Sequence, residues 1–424
     1  MPLFSERLQG WTSIADTFVS FFGNQPGAFW LDREHHPTSR FSIIGVGVDT
    51  DSLDQLAESD DFEFPFAFRP GLVGVIHYSS VAGDISNASL LAVDRAFVYD
   101  HDTRQVYFLG QFASREEFNR WYHAALLRLA LIGGEASAYE LNNPAATSAE
   151  LKSEDDENRY LDNIAKAQQH IVAGDVYQLC LTTRLRGDYS GDPLSYFLRL
   201  RRQHPAPYSA FIRTKNRTFV SISPELFLQV HGERVISAPI KGTRKRGATA
   251  EQDLELMNQL GVDPKERAEN LMIVDLIRND LARVCLPESV AVESLLAVRS
   301  YSTVHQLVSE VSGQFLPAKS GIDALASLFP GGSMTGAPKI RAMEIIQQLE
   351  QSERAGYSGA LGWIAPNGDM ELSMVIRTAI FESHEVSIGI GGGITADSRP
   401  AAEHEEIKLK AAALADVLGA AVAW

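Results

Sequence analysis

Val176-Tyr177-Gln178-Leu179-Cys180-Leu181-Thr182-Thr183-Arg184-Leu185-Arg186 alternates along its length, with Tyr177, Leu179, Leu181 and Leu185 on one side and Gln178, Cys180, Thr182 and Arg184 on the other. A period of two predicts a strand with one buried face. Just ahead, Asn158 to Ala173 places Tyr160, Ile164, Ala167 and Ile171 on one helical face, and Gly174 stands where a helix ends in glycine. Downstream, strand-like runs cover Tyr208 to Arg213, Thr218 to Ser223 and Leu226 to Val230. Asp263-Pro264 reads as an N-cap followed by proline at the first helical position, opening a helix that reaches about Arg283. Ala337-Pro338 reads as a second such start, leading through Leu349. Tyr357 to Ala365 and Met370 to Phe381 flank Pro366-Asn367-Gly368-Asp369 as a hairpin, and a strand from Val386 to Ile394 precedes a closing helix. Strands joined by hairpins, with helices between, predict an α+β chain built on mainly antiparallel sheets.

Towards the N-terminus the runs Phe41 to Val48, Leu72 to Tyr78 and Ala96 to Tyr99 read as strands, and Arg115 to Leu129 as an amphipathic helix. The one compositional seam runs from Gly133-Gly134 through Asn142-Asn143-Pro144 to Glu154-Asp155-Asp156-Glu157, small and polar, then acidic. It divides an N-terminal part, residues 1–135, from a C-terminal region, residues 150–424, which we expect to carry the chemistry and to pack with the first part as one interwoven unit.

The 424 residues are 45% hydrophobic, 22% charged and 9% aromatic, inside the range of globular proteins. A net charge of −16 would repel a polyphosphate, so nucleic acid is not an expected partner. Two cysteines, Cys180 and Cys285, are too few for a disulfide framework and wrongly spaced for zinc, which points to a reducing compartment, the cytoplasm. No leader-like start and no run of about 18 uncharged apolar residues appears, so no membrane association is expected.

Two glycine-rich segments imitate nucleotide motifs. Gly331 and Gly336 have P-loop spacing, but Ala337-Pro338 stands where lysine is required. Gly389-Ile390-Gly391-Gly392-Gly393-Ile394 has isoleucine in place of the third dinucleotide-fold glycine and no following βαβ unit. Such glycines either sit in turns and a crowded sheet or let the backbone approach a ligand. A helix starting behind Gly336 would favour an anion.

Glu266 and Glu269 are spaced i, i+3 on the helix after Asp263-Pro264, and Glu403 and Glu406 repeat the spacing, with Lys410 four further on. Alone, each pair is more often a solvated face, the first paired with Lys265 and Arg267. Together, two such pairs on two helices could hold one Mg²⁺. Lys241, between Ile240 and Gly242 at the end of a strand, is either a snorkelling surface lysine or a desolvated nucleophile. Glu225, in Ser223-Pro224-Glu225-Leu226-Phe227, is either a turn glutamate or a carboxyl raised for general-acid work.

These pieces, in this order, resemble the chorismate-utilising enzymes. The match runs from about Tyr160 to Leu414 through Gly174-Asp175-Val176-Tyr177-Gln178, Ser223-Pro224-Glu225, Pro239-Ile240-Lys241-Gly242-Thr243 and Lys265-Glu266-Arg267-Ala268-Glu269-Asn270. It continues through Val274-Asp275-Leu276-Ile277-Arg278-Asn279-Asp280-Leu281, Gly336-Ala337-Pro338-Lys339, Gly391-Gly392-Gly393-Ile394 and Ala396-Asp397-Ser398. Earlier residues match mainly through Ser39-Arg40-Phe41 and the Gly74 to Tyr78 strand. The resemblance implies an anthranilate synthase component I-like fold, its antiparallel sheets packed as a sandwich with flanking helices. It implies chorismate as substrate, bound to Mg²⁺ on Glu269 and Glu406 with Glu266 and Glu403 in support. Lys410, Arg377 and the backbone of Gly391, Gly392 and Gly393 would hold the substrate's carboxylates, and Tyr357, His305 and Ser333 match further pocket positions. Members that add water to the ring carry lysine where this chain has Gln178, which cannot act as a base. Members that make anthranilate typically carry alanine where this chain has Lys241. The combination of Gln178 and Lys241 implies the branch that aminates chorismate at C4 towards folate, with Lys241 as nucleophile, Glu225 as acid and a separate glutamine amidotransferase subunit supplying ammonia.

Overall fold

The structure is a computed structural model that describes residues 1–8, 10–53, 64–145 and 150–424. At its centre the strand Gln178–Asp188 pairs antiparallel with Glu385–Ile394, Leu179 opposite Ile394 at one end and Asp188 opposite Glu385 at the other. Leu179, Leu181 and Leu185 share one face with Ile388 and Ile390, and all five lie in one core with Tyr160, Ile164 and Ala167 of the helix Glu157–Val172 and Ile407, Ala411 and Leu414 of the helix Pro400–Leu418. Burying one such side chain stabilises by roughly 1.5–3 kcal/mol, so the alternation fixes which face meets the helices. The opposite face carries Gln178, Cys180 and Thr182 and, across from them, Gly393 and Gly391.

From this pair the first sheet extends through Thr378–Glu382, Arg217–Ser223, Tyr208–Arg213, Ala28–Asp32 and Phe41–Thr50 to the long strand Ala88–Asp100. That strand serves both layers: Arg95 to Asp100 pairs with Gln105–Gln111, whereas Ala88 to Ala92 pairs with Leu72–Ile76. The second sheet continues through Ala360–Ile364, Met370–Met374, Leu226–His231, Arg234–Ala238 and Val304–Gln314, the last flanked by Ile240–Lys245 and Ala291–Ser300. Among the described residues the ladders are antiparallel apart from Ala421–Ala423 against Glu150–Ser153. Phe29, Ile43, Ile212 and Phe219 of the first sheet interdigitate with Val73, Val75, Leu361 and Trp363 of the second, so the fold is an α+β sandwich with flanking helices.

The helix Pro264–Leu281 covers the second sheet. Ile273, Val274 and Ile277 enter the core, and Asn270 Nδ2 donates to Leu307 O at 3.4 Å. Asp263 caps it, accepting from the N–H groups of Lys265 at 3.0 Å and Glu266 at 3.2 Å. The polar seam is less featureless than its composition predicts. A helix spans Glu135–Asn142, docked where Ala136 N–H donates to Asp16 at 2.8 Å, and residues 146–149 lie outside the described residues.

Two expectations change. The run Met370 to Phe381 is two strands, since Met370–Met374 belongs to the second sheet and Thr378–Glu382 to the first; the chain crosses between layers at Arg377, which takes φ 51°. The helix after Ala337-Pro338 starts at Lys339, with Pro338 in extended conformation at the N-cap rather than inside the helix. Asp263→Ala removes both cap bonds, and urea unfolding is expected to show a loss of about 1 kcal/mol; an unchanged midpoint would show the cap to be dispensable.

Candidate active site

From Gly389 to Gly393 the face of Glu385–Ile394 that points away from the helices is made of glycine, and there is little space for more. A Cβ at Gly389 would stand 2.1 Å from the Tyr357 ring, and one at Gly391 2.5 Å from Leu181 O. At Gly393 it would meet Gln178 Nε2 at 2.5 Å, Glu269 Oε2 at 3.3 Å and Lys241 Nζ at 3.4 Å. Three side chains from three elements therefore converge on one bare stretch of strand. Of the two explanations for these glycines, crowding accounts for Gly389 and Gly391, and room for a functional cluster accounts for Gly393.

Lys241 reaches this point through an irregularity. The register of Ile240–Lys245 against Val304–Gln314 slips between Lys241 and Thr243, and Gly242 in the gap has φ 77°. Such a bulge re-aims the neighbouring side chain. The Lys241 side chain is 12% exposed and its Nζ lies 3.8 Å from Glu269 Oε2. Glu225, on the neighbouring turn, is buried, and its Oε1 accepts from Ser333 Oγ at 2.7 Å. Burial pushes its carboxyl up to about 7, against the opposing pull of Ser333, Lys241 and the Ile240 N–H. Such a carboxyl can hold a proton near neutrality and give it up.

The two glutamate pairs face each other across lysines. Lys265 Nζ lies 2.9 Å from Glu403 Oε1 and 3.8 Å from Glu269 Oε1; Lys410 Nζ lies 2.7 Å from Glu406 Oε1. Ser398 Oγ also donates to Glu403 at 2.7 Å. Burial raises the Glu269 carboxyl, with Glu266 and Glu403 adding to it against Lys241 and Lys265. Burial raises Glu266 likewise, with Asp263 and Glu406 adding to it against Arg244. Glu406 is the opposite case: burial would raise it, but Lys410 holds it below the usual value.

Among the described residues no three His, Cys, Asp or Glu side chains already stand in metal-ligating reach. Yet Glu269 Oε1 is buried and accepts no hydrogen bond. A bare acceptor at that depth costs about 1–3 kcal/mol, and more when charged. An all-oxygen donor set with an unsatisfied buried carboxylate fits Mg²⁺, and a lysine ammonium now supplies the positive charge the pairs require.

Lys410 also donates to Gly391 O at 2.8 Å, and Arg377 donates to Lys410 O at 3.3 Å, which joins these residues to the glycine strand. A left-handed arginine is strained, a feature that concentrates at functional sites. Burial pushes the Tyr357 hydroxyl pKa up, and burial pulls the Arg377 guanidinium down. His305 shares none of these hydrogen bonds: its ring nitrogens meet Ser300 Oγ at 2.7 Å and Asp253 Oδ1 at 2.9 Å. A larger cavity of about 620 Å³ between Phe66, Trp363, Glu371 and His231 holds none of the candidate residues. Two groups escaped the sequence reading. Lys265, which its sequence spacing pairs within its own helix, bridges to Glu403 of another; Arg354 lies in no motif.

Comparison with known proteins identifies the family to which the chain belongs. The chain is 41% identical to the aminodeoxychorismate synthase of Streptomyces griseus over 372 residues, 85% of this chain and 51% of that protein. It is 36% identical to anthranilate synthase component 1 of Streptomyces coelicolor over 369 residues, 82% of this chain and 72% of the relative. It thus spans about half the length of the curated aminodeoxychorismate synthases it matches first. The crystal structure of anthranilate synthase component I from Streptococcus pneumoniae TIGR4 superposes with a TM-score of 0.78 at 27% identity, covering 89% of this chain and 92% of that one. The family model described as chorismate binding enzyme matches residues 34–416, and the chain belongs to that family.

Proposed function

We propose that the chain is an aminodeoxychorismate synthase component I, an amino-group transferase that converts chorismate and ammonia to 4-amino-4-deoxychorismate and water, towards 4-aminobenzoate and folate. The observation that carries this reading is Lys241, re-aimed by its bulge into a cleft that also holds a buried acid, Glu225, and an uncharged Gln178. Anthranilate synthase component I is the second reading, favoured by relatives that the chain covers more fully.

In the proposed reaction the Lys241 amine forms a bond to C2 of the ring. The ring double bonds shift, the C4–O bond breaks, and Glu225 gives its proton to the departing hydroxyl, which leaves as water. Ammonia then forms a bond to C4, the C2–N bond to Lys241 breaks, and the surplus proton returns to the Glu225 carboxylate. Mg²⁺ on Glu269 and Glu406, with Glu266 and Glu403 supporting directly or through water, would neutralise the carboxylates and let the substrate's ring carboxylate approach them. Arg377, Lys410 and the backbone of Gly391 to Gly393 would orient the substrate's carboxylates, Arg377 by a two-pronged contact. Gln178 orients the substrate without serving as a base, and Tyr357, Ser333 and His305 complete the reading of the pocket.

Ammonia would come from a separate glutamine amidotransferase subunit. Supporting this, Cys180 and Cys285 are both buried and neither lies in a Gly-x-Cys-x-Gly nucleophile turn. No helix among the described residues is long and apolar enough to cross a membrane, and a cytoplasmic setting suits two free cysteines.

The purified chain, given chorismate, Mg²⁺ and an ammonium salt, is expected to yield aminodeoxychorismate without pyruvate, separated by chromatography with mass detection. Anthranilate with pyruvate would select the second reading. Withholding ammonia should trap a chorismate-derived adduct on Lys241, and Lys241→Ala should abolish aminodeoxychorismate or turn the product towards anthranilate; an unmodified Lys241 peptide in active enzyme would remove the covalent step.

Glu225 works as an acid only while protonated. With its carboxyl pushed up to about 7, the proton is held below that pH and lost above it. At fixed free ammonia, kcat/KM for chorismate should therefore fall as pH rises through about 7, and Glu225→Gln should lose about 10²–10⁴-fold in kcat and the pH limb with it. The same limb in the Gln variant would assign it to another group. In titration calorimetry with chorismate present, Mg²⁺ should give saturable heat with the wild type and much less with Glu269→Gln; equal affinities would exclude Glu269 as a ligand.

A further inference from the structure

Arg354 lies beyond the helix Lys339–Leu349, far in sequence from Lys241 and Glu225. Its side chain is 3% exposed and forms a two-pronged pair with Glu350, Nε to Oε2 and Nη2 to Oε1, both at 2.7 Å. The remaining donors reach two separate carbonyls: Nη1 donates to Met334 O at 2.6 Å and Nη2 to Cys180 O at 2.8 Å. Glu350 completes the junction by accepting from Thr182 N–H at 2.6 Å, and the Tyr78 ring packs against the guanidinium at 4.7 Å. A buried ion pair is weak evidence for stability, since apolar residues of equal volume often stabilise as well or better. What a guanidinium does here that an apolar group cannot is to tie two backbone carbonyls to one rigid plane, while its partner Glu350 holds a third backbone group, the Thr182 N–H.

Those backbone groups belong to the two walls of the cleft. Met334 follows Ser333, whose hydroxyl holds Glu225, and Cys180 lies two residues beyond Gln178 on the strand Gln178–Asp188. Gly336–Ala337 pairs with Gln178 and Leu179 of the same strand, so the turn and the strand already adjoin. We infer that Arg354, paired with Glu350, is a positioning residue of the active site: by bonding Met334 O and Cys180 O it holds the turn that presents Ser333 to Glu225 in fixed register with the strand that presents Gln178. This rests on the reading of Glu225 as the acid.

The readout is the protonation of Glu225. The groups that face it are Ser333 from the turn Gly332–Met334, Lys241 and the Ile240 N–H from the strand Ile240–Lys245, and, across a small cavity, Asp280 from the helix Pro264–Leu281. Asp280 is itself paired with Lys339 at 2.6 Å. The Ser333 hydrogen bond favours the ionised carboxylate, so a displaced Ser333 raises the pH at which Glu225 loses its proton.

The test uses Arg354→Lys, which keeps the charge and loses the plane, and Glu350→Asp, which keeps the pair and draws the guanidinium back by one methylene. The Glu225 carboxyl is titrated by ¹³C NMR of glutamate-labelled protein, assigned by its absence in Glu225→Gln, beside kcat and KM. In either folded variant the Glu225 titration should move up by about 0.5 in pH, with kcat down tenfold or more and KM within threefold. Ser333→Ala should move it by a similar amount, and Arg354→Lys combined with Ser333→Ala should move it no further. An unmoved titration in a folded variant, or additive effects in the double variant, overturns the inference; should Arg354→Lys fail to fold, Glu350→Asp decides. The product formed by the wild type judges the proposed function separately, because the NMR titration needs no turnover.

Discussion

A strand face left bare at Gly389, Gly391 and Gly393 is the constraint on which the site depends. The pairing of Gln178–Asp188 with Glu385–Ile394 puts isoleucines and leucines towards the helices and leaves glycine on the other side. Any side chain at Gly389 or Gly391 would collide with Tyr357 or with the opposing backbone, and one at Gly393 would occupy the point where Gln178, Glu269 and Lys241 meet. The sandwich brings Lys241 from the second sheet to the edge of the first, and the helices Pro264–Leu281 and Pro400–Leu418 bring in their glutamates from the outside. Packing core and reactive cleft are thus opposite faces of one ladder.

Charge is then distributed by environment rather than by residue type. Glu225 and Glu406 are both glutamates, yet burial beside few partners keeps the first protonated to about 7, and Lys410 keeps the second ionised. Splitting two carboxyls in this way is how one site can present an acid and an anion at the same pH. Glu269 is raised like Glu225, by burial, and its buried Oε1 accepts no hydrogen bond, which is why a nearby cation would stabilise its charged form. The lysines now supply part of that positive charge.

Local chemistry was legible in the sequence, and long-range geometry was not. The helix expected from Asn158 to Ala173 forms at Glu157–Val172, with Gly174 at φ 82°, and Asp263 caps as its position predicts, because both signals act within a few residues. The alternation after Val176 identified the polar face that lines the cleft. By contrast, the run Met370 to Phe381 has strand character throughout, and nothing local reveals that its halves serve different sheets. For His305 the resemblance implied a pocket position and gave no sign of the hydrogen bonds to Asp253 and Ser300; for Arg354, four residues after Glu350, it gave no sign, and the spacing alone suggests a surface pair. The partners that decide their positions, Asp253 and Cys180, lie 52 and 174 positions away.

The ladder between Leu72–Ile76 and Ala360–Ile364 joins residues roughly 290 positions apart. At elongation rates of about 5–20 residues per second, the first of these strands waits roughly 15–60 s on the ribosome for its partner. Through that interval Leu72 to Ile76, every one of them buried in the finished fold, offers an open apolar edge on the side that Ala360–Ile364 will fill. Ala88 to Ala92 can cover only the other side in the meantime. The order of strands along the chain, rather than the stability of the finished fold, therefore leaves one apolar edge open until the C-terminal half has been made.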